Sequence, residues 1–230
     1  SSLTFAPEAG TQRMRDVINK GLTLENILEG SRLAFEGGWN KVKLYFMLGL
    51  PFETEEDIRG IAELCNEVAK VYYDTVPKEK RNGRVSITAS TSFFIPKPFT
   101  PFQWAPMNTL EEFRDKAYLT RTAITEQLNQ RSIKYNWHDT DVSVLEGVFA
   151  RGDRRVANVI LDAYKNGCMY DAWNEFFHYD KWLEAFEKNG LTISFYNNRE
   201  RSVDEILPWD FIDIGVTKKH LIREWDKAKR

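Results

Sequence analysis

Short apolar runs alternate with helix-like patterns over the first half of the chain, and this alternation constrains the fold more than any other feature. The runs Leu3–Ala6, Lys41–Leu48 and Val85–Ile95 have the length of strands, and each is followed by a segment with a helical spacing of apolar residues. Strands that are joined through helices pair in parallel, so the pattern predicts three consecutive βα units. The extended segment Ile133–His138 is a candidate fourth strand.

The spacing of these units suits a (β/α) barrel. The predicted strand ends, near Glu8, Gly49 and Pro96, lie about 40 to 50 residues apart, as in such barrels. Three or four units are too few to close a barrel of roughly eight strands, and they would leave parallel edges open. The chain also begins at Ser1-Ser2-Leu3 without an initiator methionine. The fold class predicted is α/β, a partial (β/α) TIM-type barrel from a longer protein, followed by an α-helical C-terminal subdomain.

We place the boundary between these parts after residue 135, so that residues 1–135 form the partial barrel and residues 136–230 a mainly helical extension. Within the first part, Ile95–Pro106 holds four of the eight prolines among three aromatic residues. This segment leaves a strand end, so it is predicted to be either a substrate wall or a stiff connector packed by its own aromatic residues. The open sheet edges predict self-association or coverage by the chain's own tail.

Side chains alternate between the two faces of a strand, and in two predicted strands one face is polar. The polar face carries Ser86, Thr88, Ser90 and Ser92 in one strand and Lys41, Lys43, Tyr45 and Met47 in the other. We expect this face to line the barrel lumen as a binding cavity. A lumen-facing lysine needs an anionic partner, so Lys43 is either a ligand for a carboxylate or phosphate group, with Ser90 beside it, or half of an internal salt bridge.

Composition excludes several classes of protein. With 32 basic and 34 acidic residues the net charge is −2, which gives no general attraction to nucleic acid. No apolar run is long enough to cross a bilayer, no signal peptide opens the chain, and cytoplasmic is the default compartment. Two cysteines, Cys65 and Cys168, exclude a disulfide scaffold and a CxxC metal site.

Three arginines lie near the start of a predicted helix around Val156. Arg151, Arg154 and Arg155 would gather at its positive end, where cations are disfavoured unless an anion neutralises them. Arg151 and Arg154 are therefore candidate anion-binding residues, and salt bridges to surface carboxylates are the alternative.

Two segments resemble motifs of the radical S-adenosylmethionine (SAM) enzymes. The segment Ala6–Arg13 (APEAGTQR) is similar to their E-S/A-G-x-Q/E-R stretch after the fourth barrel strand. The segment Gly49–Asp57 (GLPFETEED) is similar to their G-L/F-P-x-E-T-x-x-D loop after the fifth strand. Together with five further segments, the chain resembles over nearly its whole length one subfamily whose members carry an upstream cobalamin-binding domain. Those segments are Leu3–Gly21, Lys43–Pro51, Ala150–Arg155, Leu207–Asp210 and Gly215-Val216.

The resemblance implies cofactor-binding roles for three residues. Glu8 matches the polar residue that contacts the ribose hydroxyl groups of SAM, and a carboxylate is well suited to accept both hydrogen bonds. Lys20 matches a basic residue that pairs with the SAM carboxylate. Tyr45 stands where several members have a ribose-binding aspartate, and its hydroxyl group is the substitute contact. The alternatives are a helix-capping or rim charge for Glu8 and a solvated cation for Lys20.

The family's iron–sulfur ligands, C-x₃-C-x₂-C, are absent from this sequence, so it offers no three thiolates for a [4Fe–4S] cluster. We therefore expect a fragment that is inactive alone and binds no cofactor alone. Its partner would be the upstream half of the same protein. The resemblance implies that the intact enzyme uses SAM and the cluster for radical modification, or uses cobalamin as well for methylation. RNA, protein and small molecules all remain open as substrates. The alternative is a non-enzymatic α/β binding module.

Overall fold

The computed structural model describes residues 2–229, and its strands form a parallel four-stranded sheet in the order β1-β2-β3-β4. The strands are β1 (Leu3–Glu8), β2 (Lys41–Leu48), β3 (Ser86–Phe93) and β4 (Ile133–Trp137). The helices between them are α1 (Gln12–Val17), α2 (Leu24–Glu36), α3 (Glu55–Thr75) and α4 (Leu110–Thr125). Each neighbouring pair of strands is parallel. The predicted α/β class and the parallel βα units are confirmed, and the fourth candidate segment is a strand of the same sheet.

The chain divides into two compact units. The first comprises residues 2–94, 112–138 and 227–229, and the second comprises residues 95–111 and 139–226. The second unit contains α5 (Thr140–Arg151), α6 (Val156–Lys165), α7 (Tyr179–Lys188), α8 (Ile193–Asn197) and most of α9 (Lys218–Ala228). The division after residue 138 lies close to the predicted one after residue 135. Residues 95–111, however, belong to the second unit.

The apolar face of the sheet forms the core of the first unit. Val42, Leu44, Phe46 and Leu48 of β2 are buried, as are Ile87 and Ala89 of β3. The helix α3 lays a buried stripe against these strands, formed by Ile58, Ile61, Leu64, Cys65 and Val68. These residues recur at helical spacing, so they form one apolar face of α3. That face packs on the apolar face of the sheet and completes the core of the first unit.

Two threonines determine where α2 and α3 begin. The Thr23 hydroxyl accepts a hydrogen bond from the Asn26 N–H, and the Thr54 hydroxyl accepts one from the Asp57 N–H. In both helices the third residue returns a side-chain bond to the cap, which completes a capping box. Both helices therefore begin at a local signal that is readable in the sequence.

The second unit has two apolar clusters. One lies among α5, α6, α7 and α8 and includes Val148, Val159, Trp182, Phe186 and Tyr196. The other joins Trp104 and Ala105 to Leu207, Trp209, Leu221 and Trp225. A buried hydrogen bond also links the two parts of this cluster: Trp209 Nε1 donates to Gln103 Oε1 at 2.8 Å. Phe99, Phe102 and Trp104 of the proline-rich segment thus pack against residues far along the chain and not only against one another.

Candidate functional site

The first strand ends at a strained residue. The pairing of β1 with β2 shifts register between Phe5 and Glu8, so the regular alternation of faces is interrupted there. Glu8 has φ of 67°, in the left-handed region, where a non-glycine residue costs of order 1–3 kcal/mol. Strain of this kind persists where surrounding contacts hold it, and it concentrates at functional sites.

Glu8 and Lys20, two predicted cofactor-binding residues, contact each other. Lys20 Nζ lies 3.2 Å from Glu8 Oε1, and both side chains are partly exposed. An exposed ion pair contributes little to stability, about 0–1 kcal/mol, so a ligand can replace either partner at small cost. The structure thus places a carboxylate and an ammonium group side by side at the C-terminal end of β1.

The loop after β1 is attached to α3 through the carboxylate of Asp57. Thr11 Oγ1 donates a 2.5 Å hydrogen bond to Asp57 Oδ1, and Arg13 forms an ion pair with Asp57 Oδ2. The Thr54 N–H and hydroxyl each donate to the same Oδ2 at 2.8 Å. Asp57 is only 3% exposed. This buried carboxylate therefore connects the β1–α1 loop to the β2–α3 loop. The contacts of Asp57 with Thr11 and Arg13 have no local signal in the sequence, because more than 40 residues separate these partners.

Two glycines let this loop approach α3 closely. A Cβ on Gly10 would lie 2.5 Å from the Gly60 carbonyl carbon and 2.6 Å from the Asp57 carbonyl oxygen. A Cβ on Gly60 would lie 2.7 Å from Thr11 Cγ2. The loop backbone and the helix backbone are therefore in contact, which only glycine at both positions allows.

The loop after β2 is built around a second buried carboxylate. Gly49 turns the chain with φ of 83°, and its N–H donates a 2.9 Å hydrogen bond to Glu53 Oε2. Lys116 Nζ on α4 lies 2.7 Å from the same oxygen, and the Glu53 side chain is 3% exposed. Burial raises the pKa of Glu53, although Lys116 and the Gly49 N–H oppose that rise. Glu53 has no local signal of this role in the sequence, because its partner Lys116 is distant in the chain.

Replacing Lys116 by methionine is expected to lower the free energy of unfolding by about 2 kcal/mol, since it leaves a buried carboxylate with one donor. Because the folded pKa of Glu53 is already raised, its ionisation opposes folding as the pH rises above its unfolded value of about 4.3. The loss should therefore shrink in acid, as measured by urea unfolding. Lys97→Met, which breaks an exposed pair with Glu146, is the matched control. An equal loss in both variants would contradict the role of Glu53 burial.

The polar face of the sheet brings three further predicted residues together. Lys43 Nζ lies 4.5 Å from the centroid of the Tyr45 ring, a cation–π contact. Tyr45 is directly opposite Ser90 in the parallel pair of β2 and β3. Within residues 2–229, Lys43 contacts this aromatic ring and forms no salt bridge with a carboxylate, which was the alternative prediction. These three residues therefore share one surface, as predicted.

The predicted anion site of the second unit is not assembled. Arg151 is the last residue of α5, is fully buried, and donates to the carbonyl oxygens of Tyr196 and Ala105 at 2.9 and 2.8 Å. Burial, followed by the neighbouring charge of Arg201, lowers the pKa of Arg151 to about 9. An anion-binding role for Arg151 is thus at odds with its position, because the side chain is fully buried and bonded to two carbonyl oxygens. Arg154 is exposed between α5 and α6, and Arg155 pairs with Asp153 at 2.6 Å.

The cysteines do not fit an iron–sulfur cluster. In the radical SAM enzymes that the two loop segments resemble, a [4Fe–4S] cluster takes three cysteine thiolates, and this chain has two cysteines. Cys65 is buried in α3, where desolvation raises its pKa to about 12, and Cys168 is buried in the second unit. Among residues 2–229 no group of three or more His, Cys, Asp or Glu side chains is placed to hold a metal ion. In the same range, every helix is too short or too polar to cross a bilayer.

Comparison with known proteins finds similarity to an uncharacterised protein of Methanocaldococcus jannaschii. The two share 34% identical residues over 165 positions, which cover 72% of this chain and 33% of the relative. The chain thus matches about a third of that protein's length. No protein-family model and no solved structure matches the chain.

Proposed function

We propose that the ends of β1 and β2 form part of the SAM-binding site of a radical SAM enzyme, and that the four-stranded sheet is part of that enzyme's (β/α) barrel. The observation that carries the proposal is the Glu8–Lys20 pair on a strained strand end. The resemblance of the two loop sequences to the family's motifs supports the same assignment.

The chemistry of the pair suits the ligand. The ribose of SAM presents two neighbouring hydroxyl donors, and a carboxylate accepts both, so Glu8 would hold the ribose. The methionine part of SAM carries a carboxylate, which Lys20 would bind as a point charge. In the absence of ligand the two side chains satisfy each other at 3.2 Å, and SAM would replace that contact with one bond to each. The small stability of such a pair, about 0–1 kcal/mol, favours the exchange.

The loop contacts support precise placement of this pair. The left-handed backbone of Glu8 determines the direction in which its carboxylate leaves the strand. The bonds of Asp57 to Thr11 and Arg13 keep the segment that follows Glu8 against α3. We therefore assign Asp57 as a positioning residue. Lys43, Tyr45 and Ser90 would face the substrate, with the Tyr45 hydroxyl available to the ribose.

The iron–sulfur cluster is outside this chain's capacity, since its two cysteines do not fit the site. In our proposal the cluster ligands, and a cobalamin-binding domain where methyl transfer is the reaction, belong to an upstream part of the same protein. The greater length of the archaeal relative is compatible with that arrangement.

The proposal is tested by calorimetric titration of the full-length protein with SAM. Glu8→Gln keeps the size of the side chain, removes its charge, and is expected to weaken SAM binding by about tenfold or more, because a charge-assisted bond is worth about 1.5–3 kcal/mol. Lys20→Met is expected to weaken it by a smaller factor.

The matched control is Glu36→Gln, which breaks a comparable exposed ion pair with Arg32 on α2. It should leave SAM affinity unchanged. Equal affinity of the Glu8→Gln variant and the unmodified protein would sink the proposal, and it would favour the alternative of a non-enzymatic binding module.

A further inference from the structure

A pocket of about 410 Å³ lies beside β4, on the side of the strand that faces α4. We call it the β4 pocket. Alternate residues of β4 form one wall, namely Ile133, Tyr135 and Trp137, and the other walls include Arg121, Ile124 and Gln130. Its volume lies within the range of small-molecule sites, roughly 300–1,000 Å³. All its lining residues belong to the first unit, and none contributes to the Glu8–Lys20 pair.

The aromatic wall is preorganised. The rings of Tyr135 and Trp137 lie 5.2 Å apart with an angle of 35°, and Tyr118 meets Trp137 edge to face at 6.1 Å. The Tyr135 hydroxyl is held by a 2.9 Å hydrogen bond with Thr91 Oγ1. Trp137 nevertheless remains 36% exposed. A ring with fixed neighbours and an open face is a stacking surface for a planar aromatic group.

The charge of the pocket is positive. Arg121 is the charged residue among the lining side chains, and it is exposed. It has no acidic residue three or four positions away on α4, and the nearby Glu126 pairs with Arg59 at 3.1 Å. No carboxylate of the described residues neutralises Arg121, so an anion next to the aromatic wall would be attracted.

The remaining lining residues define what else the ligand carries. The floor is apolar, since Ile124 and Ile133 are buried. The Gln130 amide offers both donors and an acceptor, and the Thr125 hydroxyl donates to the Thr122 carbonyl oxygen while keeping its acceptor sites. Nucleobase edges also combine donors and acceptors.

From this combination we propose that the β4 pocket binds a nucleotide unit, a nucleobase that stacks on Trp137 with its phosphate against Arg121. The unit is either a free nucleotide or one residue of a single-stranded nucleic acid, because both present the same base and phosphate. An apolar peptide side chain would use the aromatic wall and the floor but would have no use for Arg121.

The test uses the whole chain, labelled with ¹⁵N and titrated with guanosine monophosphate (GMP), guanosine or a single-stranded hexanucleotide. The indole N–H signal of Trp137, assigned by its loss in Trp137→Phe, is expected to shift and saturate. Trp137→Ala is expected to weaken GMP binding by about tenfold or more, since stacking is worth about 1–3 kcal/mol per base. Arg121→Gln, an exposed substitution that leaves the core intact, should weaken GMP about threefold or more but leave guanosine unchanged.

Two controls separate this site from others. Trp173→Ala removes an exposed tryptophan of the second unit and should leave GMP binding unchanged. Glu8→Gln should also leave it unchanged, so a failure of the SAM assignment is distinguishable from a failure here. Tighter binding of the hexanucleotide than of GMP identifies a nucleic acid strand as the source, and equal binding identifies a free nucleotide. Absence of a saturating shift, or equal loss of GMP and guanosine binding in Arg121→Gln, would overturn the proposal.

Discussion

Replacing Asp57 by alanine is expected to lower the free energy of unfolding by about 3 kcal/mol, among the largest effects of any single substitution in the first unit. The carboxylate accepts hydrogen bonds from Thr11, Arg13 and Thr54 and is almost completely buried. Its loss removes the cap of α3 and the attachment of the β1–α1 loop together. The measurement is urea unfolding followed by circular dichroism.

The effect of Asp57 should depend on pH with a definite sign. Burial alone would raise the pKa of Asp57, but hydrogen bonds from Arg13, Thr11 and Thr54 outweigh it and hold the pKa below its ordinary value. A carboxyl group with a lowered folded pKa stabilises the fold above its unfolded pKa of about 3.9, and this contribution is lost as the pH falls through the folded value. Asp57→Asn should therefore differ most from the unmodified protein near neutral pH and converge with it in acid. A constant difference across that range would contradict the assignment.

Replacing Gly10 by alanine is expected to cost about 3 kcal/mol or more, because the new methyl group meets backbone atoms of α3 that have no freedom to move aside. The contacts would be with the carbonyl carbon of Gly60 and the carbonyl oxygen of Asp57. Relief requires the loop to leave the helix, so the bonds of Asp57 to Thr11 and Arg13 should weaken as well. Thermal unfolding measures the loss.

Gly30→Ala is the matched control for that substitution. Gly30 lies inside α2, and a Cβ there would make an ordinary 3.6 Å contact with the Phe5 ring. Alanine is the better helix former by about 1 kcal/mol, so this variant should be as stable as the unmodified protein or more so. If Gly10→Ala were equally well tolerated, the close contact of loop and helix would be wrong.

The strands and their faces could be predicted because the signals are local. In β2, alternation places Val42, Leu44 and Phe46 on the helix side and Lys43 and Tyr45 on the other, as the structure has them. Aligning the two polar faces fixes the register only to within an even number of residues, so the pairing of Tyr45 with Ser90 needed the structure. The caps at Thr23 and Thr54 are equally predictable from the sequence, since a capping box spans only four residues.

What could not be predicted depends on partners far apart in the chain. Arg151 looked like a surface cation beside Arg154, but its guanidinium group bonds to backbone carbonyls of Ala105 and Tyr196 inside the second unit. From its sequence neighbours Glu53 would be an exposed loop residue, but the structure buries it beside Lys116 of α4. The shift of register before Glu8 likewise has no local signal in the sequence.

Residues 95–111 have a consequence for any attempt to study the second unit separately. A polypeptide starting at Asp139 would contain every helix from α5 onwards but would lack Trp104 and Ala105. Trp209 and Trp225 would then lose their neighbours, and Arg151 would lose one of its carbonyl acceptors. The smallest self-sufficient version of this unit is therefore discontinuous in sequence, so dissecting the protein calls for grafting the two stretches together and not for a single cut.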